Sequence, residues 1–267
     1  MIEEIIKLSE EKFEQLFKSG EQFGISDELL KKLNESQKKD LLRGEFFSLL
    51  FKKMGYESAD SLWNYKKSID REWFDHRLHI LYPEKWFADH WTMSANNVLP
   101  VLTPESKILN LCSGDGFYDY HFYSKRAKKI DCVEVDKEAI NHAKIHHQHE
   151  KINYIHSSVF DFTPKDEYYD VVLIRGAIEH FYENQQNQIF GLVKKALKPN
   201  GYFIGDAPKK MPGVLQHKDH HCEWEDENEM KIKLSKYFNK IETSSFKSYG
   251  DAKIGGARTT LFWKCTK

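Results

Sequence analysis

Cysteine is scarce in this chain: four in 267 residues, at 112, 132, 222 and 265, with no CxxC pair. That argues against a disulfide framework and against the paired ligands of a structural zinc site, and it leads us to expect a reduced, cytoplasmic setting. No run of about 18 apolar residues occurs, so no transmembrane helix is expected. The opening segment, MIEEIIKLSEEKFEQLF, is charged throughout and lacks the apolar stretch of a signal peptide. Net charge is lacking too. Forty Lys and Arg against 41 Asp and Glu leave a balance of −1. No global basic field exists to drive non-specific nucleic-acid binding, so a nucleic-acid partner is not expected. Internal repeats and low-complexity tracts are absent. What remains is a chain with 40% hydrophobic and 14% aromatic residues, enough for a core.

The first 70 residues read as helical. Ile2, Ile5, Ile6, Phe13 and Phe17 recur near helical spacing, and Gly20, Gly24 and Ser26 then punctuate. DELLKKLNE and QKKDLLRGEFFSLLFKKMG follow, with Leu41, Leu42, Phe46, Leu49 and Leu50 on one face and Gly55 expected to stop the helix. Residues 71–100 are aromatic-rich and broken by Pro83 and Pro100. They read as irregular structure with a helix near 91–99.

From residue 105 the texture changes to alternation. Strand-like runs at 107–112, 130–135, 152–156, 169–174 and 202–205 enclose helical stretches at 116–127, 137–149 and 184–197, the last closed by a KPNG turn at Asn200 and Gly201. A further helix, DENEMKIKLSKYF, precedes two strands at about 240–248 and 257–265. The expected class is α/β, a doubly wound, mostly parallel seven-stranded sheet. A helical extension over 1–90 would precede a main domain over 91–267.

The stretch ILNLCSGDGFYD, residues 108–119, is a strand feeding a small-residue turn. Ligands of a parallel sheet bind beyond the carboxyl ends of its strands, and Gly114 and Gly116 remove side chains that would block the backbone there. Glu134 ends the next strand, where an acid can accept hydrogen bonds from both hydroxyls of a ribose. Asp136 lies two residues on, but the following KEAINHAK sets a register that selects Glu134.

EYYDVVLIRGAIEHF (167–181) and ALKPNGYFIGD (196–206) complete a set of four motifs in order. The chain resembles a class I S-adenosylmethionine-dependent methyltransferase, in its small-molecule branch, over about residues 90–267. The resemblance implies the Rossmann-like methyltransferase fold and S-adenosyl-L-methionine as cofactor. It also implies a cofactor site drawn from Asn110, Cys112, Gly114, Gly116, Glu134, Val135, Ser158, Val159, Arg175 and Gly176. The methionine end would lie near Arg175 and Gly176, with His90, Trp91 and Thr92 as wall groups. Three positions depart from the family pattern. Asn110 replaces the usual Asp, Cys112 replaces the usual first Gly, and Ser157 or Ser158, with Asp161 further on, stands where an Asp usually meets adenine.

Methyl transfer needs an aligned acceptor and, for a hydroxyl, a base. The resemblance puts the loops after strands four and five beside the transferred methyl. His180, His220, His221 and Glu179 are therefore the catalytic candidates, with His217 also in reach. The 216–224 loop packs His217, His220, His221, Cys222 and Glu223 together, but no second His/Cys cluster pairs with it and no metal is expected. The N/D-P-P-Y/F motif of adenine- or glutamine-N-methylating relatives is missing, and so is the Pro-Cys of cytosine C5 enzymes. The expected acceptor is an O or N atom of a small polar metabolite, such as a sugar or nucleotide-linked derivative. Two readings compete: a tRNA or protein methyltransferase docking through a face of Lys52, Lys53, Lys66 and Lys67, and a non-catalytic binding protein of the same fold. The N-terminal helices and the aromatic segment 73–91 would serve as a lid or a homodimer surface.

Overall fold

A computed structural model of the protein describes residues 2–69, 89–211, 219–248 and 258–267. The chain divides into two compact units, Met1–Glu72 and Trp73–Lys267. The first contains α1 (Ile2–Lys18), α2 (Asp27–Leu30) and α3 (Glu35–Ile69). Its small core is Phe13, Leu30 and Leu42, with Phe17, Phe23 and Phe46 packed against it. Of the periodic set on α1, Phe13 and Phe17 pack inward, whereas Ile5 and Ile6 stay exposed. Gly55 does not stop α3, which continues to Ile69. A lone glycine in a helix costs about 1 kcal/mol relative to alanine, and helix-forming residues flank it without a proline. Lys53 is exposed; the side chains of Lys52, Lys66 and Lys67 lie outside the described residues, as does most of the aromatic segment 73–91.

The second unit opens with α4 (Asp89–Val98), whose Ala95 and Val98 pack into the core below the sheet. Then come β1 (Lys107–Leu111), α5 (Phe117–His121), β2 (Lys129–Glu134), α6 (Lys137–His146), β3 (Ile152–His156) and β4 (Tyr169–Arg175). They are followed by α7 (Glu183–Ala196), β5 (Leu197–Pro208), α8 (Glu227–Ser235), β6 (Asn239–Ser248) and β7 (Arg258–Thr266). The seven strands form one sheet in the order β3-β2-β1-β4-β5-β7-β6. β1 to β5 are parallel, and β7 is antiparallel to both neighbours, β5 and β6.

Burial on both faces explains the continuous apolar runs of the central strands. Along β4, Val172 and Ile174 join one core with Phe190 and Val193 of α7. Val171 and Leu173 join the other, with Phe117 and Tyr118 of α5.

Three expected boundaries shift. The stretch 116–127 is helical only over α5, then a short 3-10 turn, Tyr123–Lys125. α6 ends at His146 because His147 turns inward and bonds the Asp115 carbonyl. The KPNG turn lies inside β5: pairing jumps from Tyr169↔Leu197 to Val171↔Tyr202, leaving residues 198–201 looped out with Asn200 at φ 64.

Gly205 sits opposite Trp263 in the β5–β7 pairing. A Cβ placed there would overlap the Trp263 ring and the Ile174 carbonyl oxygen. A strand glycine of this kind marks close approach of neighbouring groups. Gly205→Ala is therefore expected to destabilise the protein by about 1–3 kcal/mol through overpacking, measured by denaturant unfolding. Unchanged stability would contradict this packing.

Candidate active site

The loop between β1 and α5 turns on three left-handed residues, Cys112 (φ 55), Gly114 (φ 59) and Gly116 (φ 69). This is why the family pattern favours glycine at position 112; cysteine there accepts a strain of about 1 kcal/mol. Burial, with the negative charges of Glu134 and Glu179, pushes the Cys112 thiol well above its ordinary range, so it stays neutral. The two glycines differ in surroundings. A Cβ on Gly116 would lie 2.6 Å from the Tyr154 ring, whereas one on Gly114 would meet nothing within 4 Å.

Glu134 ends β2 and ties this loop down. Its Oε2 accepts the Gly114 N–H at 2.8 Å, and its Oε1 accepts those of Val135 (2.8 Å) and Asp136 (2.9 Å). Asp136 has other work: it caps α6 by accepting the Glu138 N–H. Val135 and Phe160 are exposed apolar side chains on the turns after β2 and β3. Ser158 Oγ accepts the Phe160 N–H, Val159 is buried, and Asp161 is exposed.

Beneath the loop lies a buried polar network that sequence reasoning did not find. Asn110 Nδ2 donates to Asp119 Oδ2 at 2.8 Å, and Asp119 is fully buried. The negative charge that Asn110 lacks is thus supplied nine residues later, from α5. Arg175 is not a surface residue. Its guanidinium lies 3.5 Å over the Tyr118 ring and donates to Asp206 Oδ2 and the Tyr123 hydroxyl. Ser94 also donates to Asp206 Oδ2, which links α4 to the end of β5. Gly176 remains exposed, at φ 54, with its N–H on the Asp206 carbonyl. Trp91 is half-buried against the same core, and its carbonyl accepts the Tyr118 hydroxyl. The His90 side chain lies outside the described residues, and Thr92 is exposed.

The loops after β4 and β5 bring three of the four catalytic candidates together. Ligand-capable atoms of Glu179, His180 and His220 all lie within 4.8 Å of one another. His220 Nδ1 makes a short contact with buried Glu223, and His180 Nδ1 bonds the Asp219 carbonyl. The 219–224 loop is thereby paired with Glu179 and His180 of the preceding loop, a donor set that could also hold a cation. His221 stands apart, stacked on Tyr182 at 4.3 Å, while its backbone N–H donates to the Glu179 carbonyl. His217 lies outside the described residues. Buried Gln186 of α7 staples the two loops: Nε2 donates to the carbonyls of Ile178 and Cys222, and Oε1 accepts the Trp224 N–H. A cleft of about 570 Å³ borders His221, Cys222, Lys210 and Lys233; it does not reach Glu134 or Gly114.

Residues 108–201 match the family described as Methyltransferase domain. No curated protein matches the chain. Among solved structures it is similar to the YcgJ protein of Bacillus subtilis (13% identity, 66% of this chain and 98% of that one, TM-score 0.56). It is also similar to a SAM-dependent methyltransferase from Archaeoglobus fulgidus (15% identity, 71% and 99%, TM-score 0.54). A third likeness is to DhpI in complex with SAH (16% identity, 79% and 93%, TM-score 0.52). These identities carry the fold, and the family match carries the chemistry. The family match thus marks residues 108–201 as a methyltransferase domain, and the solved structures support S-adenosylmethionine as its cofactor.

Burial raises the Asp119 carboxyl from 3.8 to about 6, against the opposing pull of Asn110 and Arg175. A carboxyl with a raised folded-state pKa adds stability below its unfolded value, and that contribution is lost as pH rises through about 6. In Asp119→Asn this loss disappears. The stability difference, variant minus parent, is expected to rise by about 2–3 kcal/mol between about pH 4 and about pH 7. A flat difference in urea unfolding across that window would contradict the buried ionisation.

Proposed function

We propose that this methyltransferase moves a methyl group to an O or N atom of a small polar metabolite, such as a sugar or nucleotide-linked derivative. The observation that carries the reading is the pairing of His220 with buried Glu223, beside Glu179 and His180, on the loops after β4 and β5. A carboxylate on Nδ1 fixes the imidazole tautomer and leaves Nε2 as the basic nitrogen.

The cofactor site fits its ligand. Gly114 borders open space, Val135 and Phe160 offer apolar surface for adenine, and Glu134 offers carboxylate oxygens to the ribose hydroxyls. Bound S-adenosylmethionine supplies a sulfonium methyl already activated for displacement. The chain's own part is to align the acceptor and hold a proton. On this reading His220 Nε2 takes the proton of an acceptor hydroxyl, Glu223 stabilises the resulting imidazolium, and His180 borders the acceptor. Gly176 and the 112–116 backbone hold the methionine end, with Arg175 setting their position through Asp206. His221 shapes the rim through Tyr182.

A second reading follows from the same donors: Glu179, His180 and His220 hold a divalent cation that binds the acceptor. Loss of turnover on chelation would favour it. The exposed Ile5, Ile6 and Leu8 of α1 support self-association through the N-terminal extension. Four free thiols are consistent with a cytoplasmic location. No helix among the described residues is long and apolar enough to cross a membrane.

Two variants test the assignment. Glu134→Ala is expected to weaken binding of S-adenosylhomocysteine by about tenfold to a hundredfold, because charge-assisted bonds contribute roughly 1.5–3 kcal/mol. Calorimetry giving the parent affinity would remove Glu134 from the site. Once labelled cofactor has identified an acceptor, His220→Ala is expected to lower turnover roughly 10²–10⁴-fold with cofactor affinity kept. Parent-like turnover in His220→Ala would pass the role to His180.

A further inference from the structure

A second cluster joins the β1–α5 loop to the end of α6, at Asp115, His142 and His147. Their ligand-capable atoms lie within 4.8 Å of one another. Asp115 and His147 are each only 2% exposed, and His142 is half-buried. A carboxylate among two imidazoles is a set of imidazole nitrogens and a hard oxygen. It suits zinc-class dications and is too poor in oxygen for magnesium or calcium.

The surroundings resemble those of a metal-binding histidine. His147 Nδ1 bonds the Asp115 backbone carbonyl at 2.5 Å. A carbonyl oxygen only accepts, so Nδ1 carries the proton and Nε2 the lone pair in the neutral ring. This outer bond to a carbonyl is the usual way a ligating histidine is oriented. Tyr120 stacks on the His147 ring at 5.3 Å and Phe117 meets it edge-on at 6.2 Å, giving the cluster an apolar wall. His142 lies 5.5 Å from the His147 ring. The two histidines lie five residues apart, His142 within α6 and His147 as the residue that closes it. Asp115 comes from between the two loop glycines.

We propose that Asp115, His142 and His147 bind a zinc-class divalent cation with one coordination position open to water. The cation clamps the cofactor loop to the end of α6. Bonds of about 2.0–2.1 Å to zinc require the three donors to draw to about 3.3 Å of one another, a small closure from their present spacing. Because Asp115 lies between Gly114 and Gly116, that closure stiffens the loop beside Glu134. Cofactor binding and metal binding then favour each other.

The test uses the full chain, stripped with chelator and titrated with Zn²⁺ by calorimetry and with Co²⁺ by visible absorption. The parent is expected to take up Zn²⁺ at this site and to show the intense Co²⁺ bands of a four-coordinate centre. His142→Gln, at a half-buried position, is expected to lose one equivalent of Zn²⁺ and those bands. Asp115→Asn should do the same, and circular dichroism checks that both variants are folded. His180→Gln reports on the separate Glu179–His180–His220 group and is expected to keep the bands. S-adenosylhomocysteine should bind the parent about tenfold more tightly with Zn²⁺ than with chelator, and His142→Gln should lose this difference. No Zn²⁺ uptake by the parent, unchanged stoichiometry in both His142→Gln and Asp115→Asn, or loss of all uptake in His180→Gln alone would overturn the site. Equal S-adenosylhomocysteine affinity with and without Zn²⁺ would overturn the clamp.

Discussion

Both oxygens of the Glu134 carboxylate accept backbone N–H groups, one from the β1 loop and two from the turn into α6. A loop with left-handed residues at 112, 114 and 116 has little of its own to fix it. The carboxylate supplies that constraint from the neighbouring strand, and the parallel register of β1 and β2 places it in reach. Once Gly114 is held, Gly116 can seat against Tyr154 and α5 can begin. From α5, Asp119 reaches back to Asn110, and Tyr118 lies under Arg175. The candidate cofactor face is therefore built by side chains that cross between strands. A buried pair such as Arg175–Asp206 adds little net stability, but removing one partner leaves an uncompensated charge at a cost of about 3–5 kcal/mol. Its effect is to fix geometry where β4 and β5 end.

The loops after β4 and β5 follow the same logic with different groups. Gln186 holds the carbonyls of two loops that are far apart in sequence, and the backbone N–H groups of His221 and Cys222 both reach the Glu179 carbonyl. With the backbone held, His180 and His220 meet edge to face at 4.8 Å. Loops usually vary and move; here a buried amide from α7 makes two of them a single surface.

The alternation of runs such as KILNL and VVLI made the sheet legible in the sequence, because strands covered on both faces leave continuous apolar stretches. Glu134 was legible too as the acid that ends the second strand. Asp119 and Gln186 were not, nor was the pairing of Glu223 with His220. Each of the three is a polar residue that ordinarily faces water, and only the tertiary packing buries it against a partner. Asp119 lies nine residues from its partner, Gln186 eight and 36 from two of its own. Gly55 misled for a related reason: one glycine is a weak local signal, and the residues around it decide. The pairing of Glu179 and His180 with His220 needed the two loops to be brought together, which spacing along the chain does not reveal.

On the proposed reading one carboxylate, Glu134, both assembles the loop and receives the cofactor's ribose. A crystal structure of the full chain with S-adenosylhomocysteine tests it most directly. Both ribose hydroxyls are expected within hydrogen-bond distance of the Glu134 oxygens, with Gly114 beside the ligand and the adenine against Val135 and the turn at Ser158–Phe160. A ribose held by Asp136 or by another group, with Glu134 bonded only to its backbone amides, would contradict it.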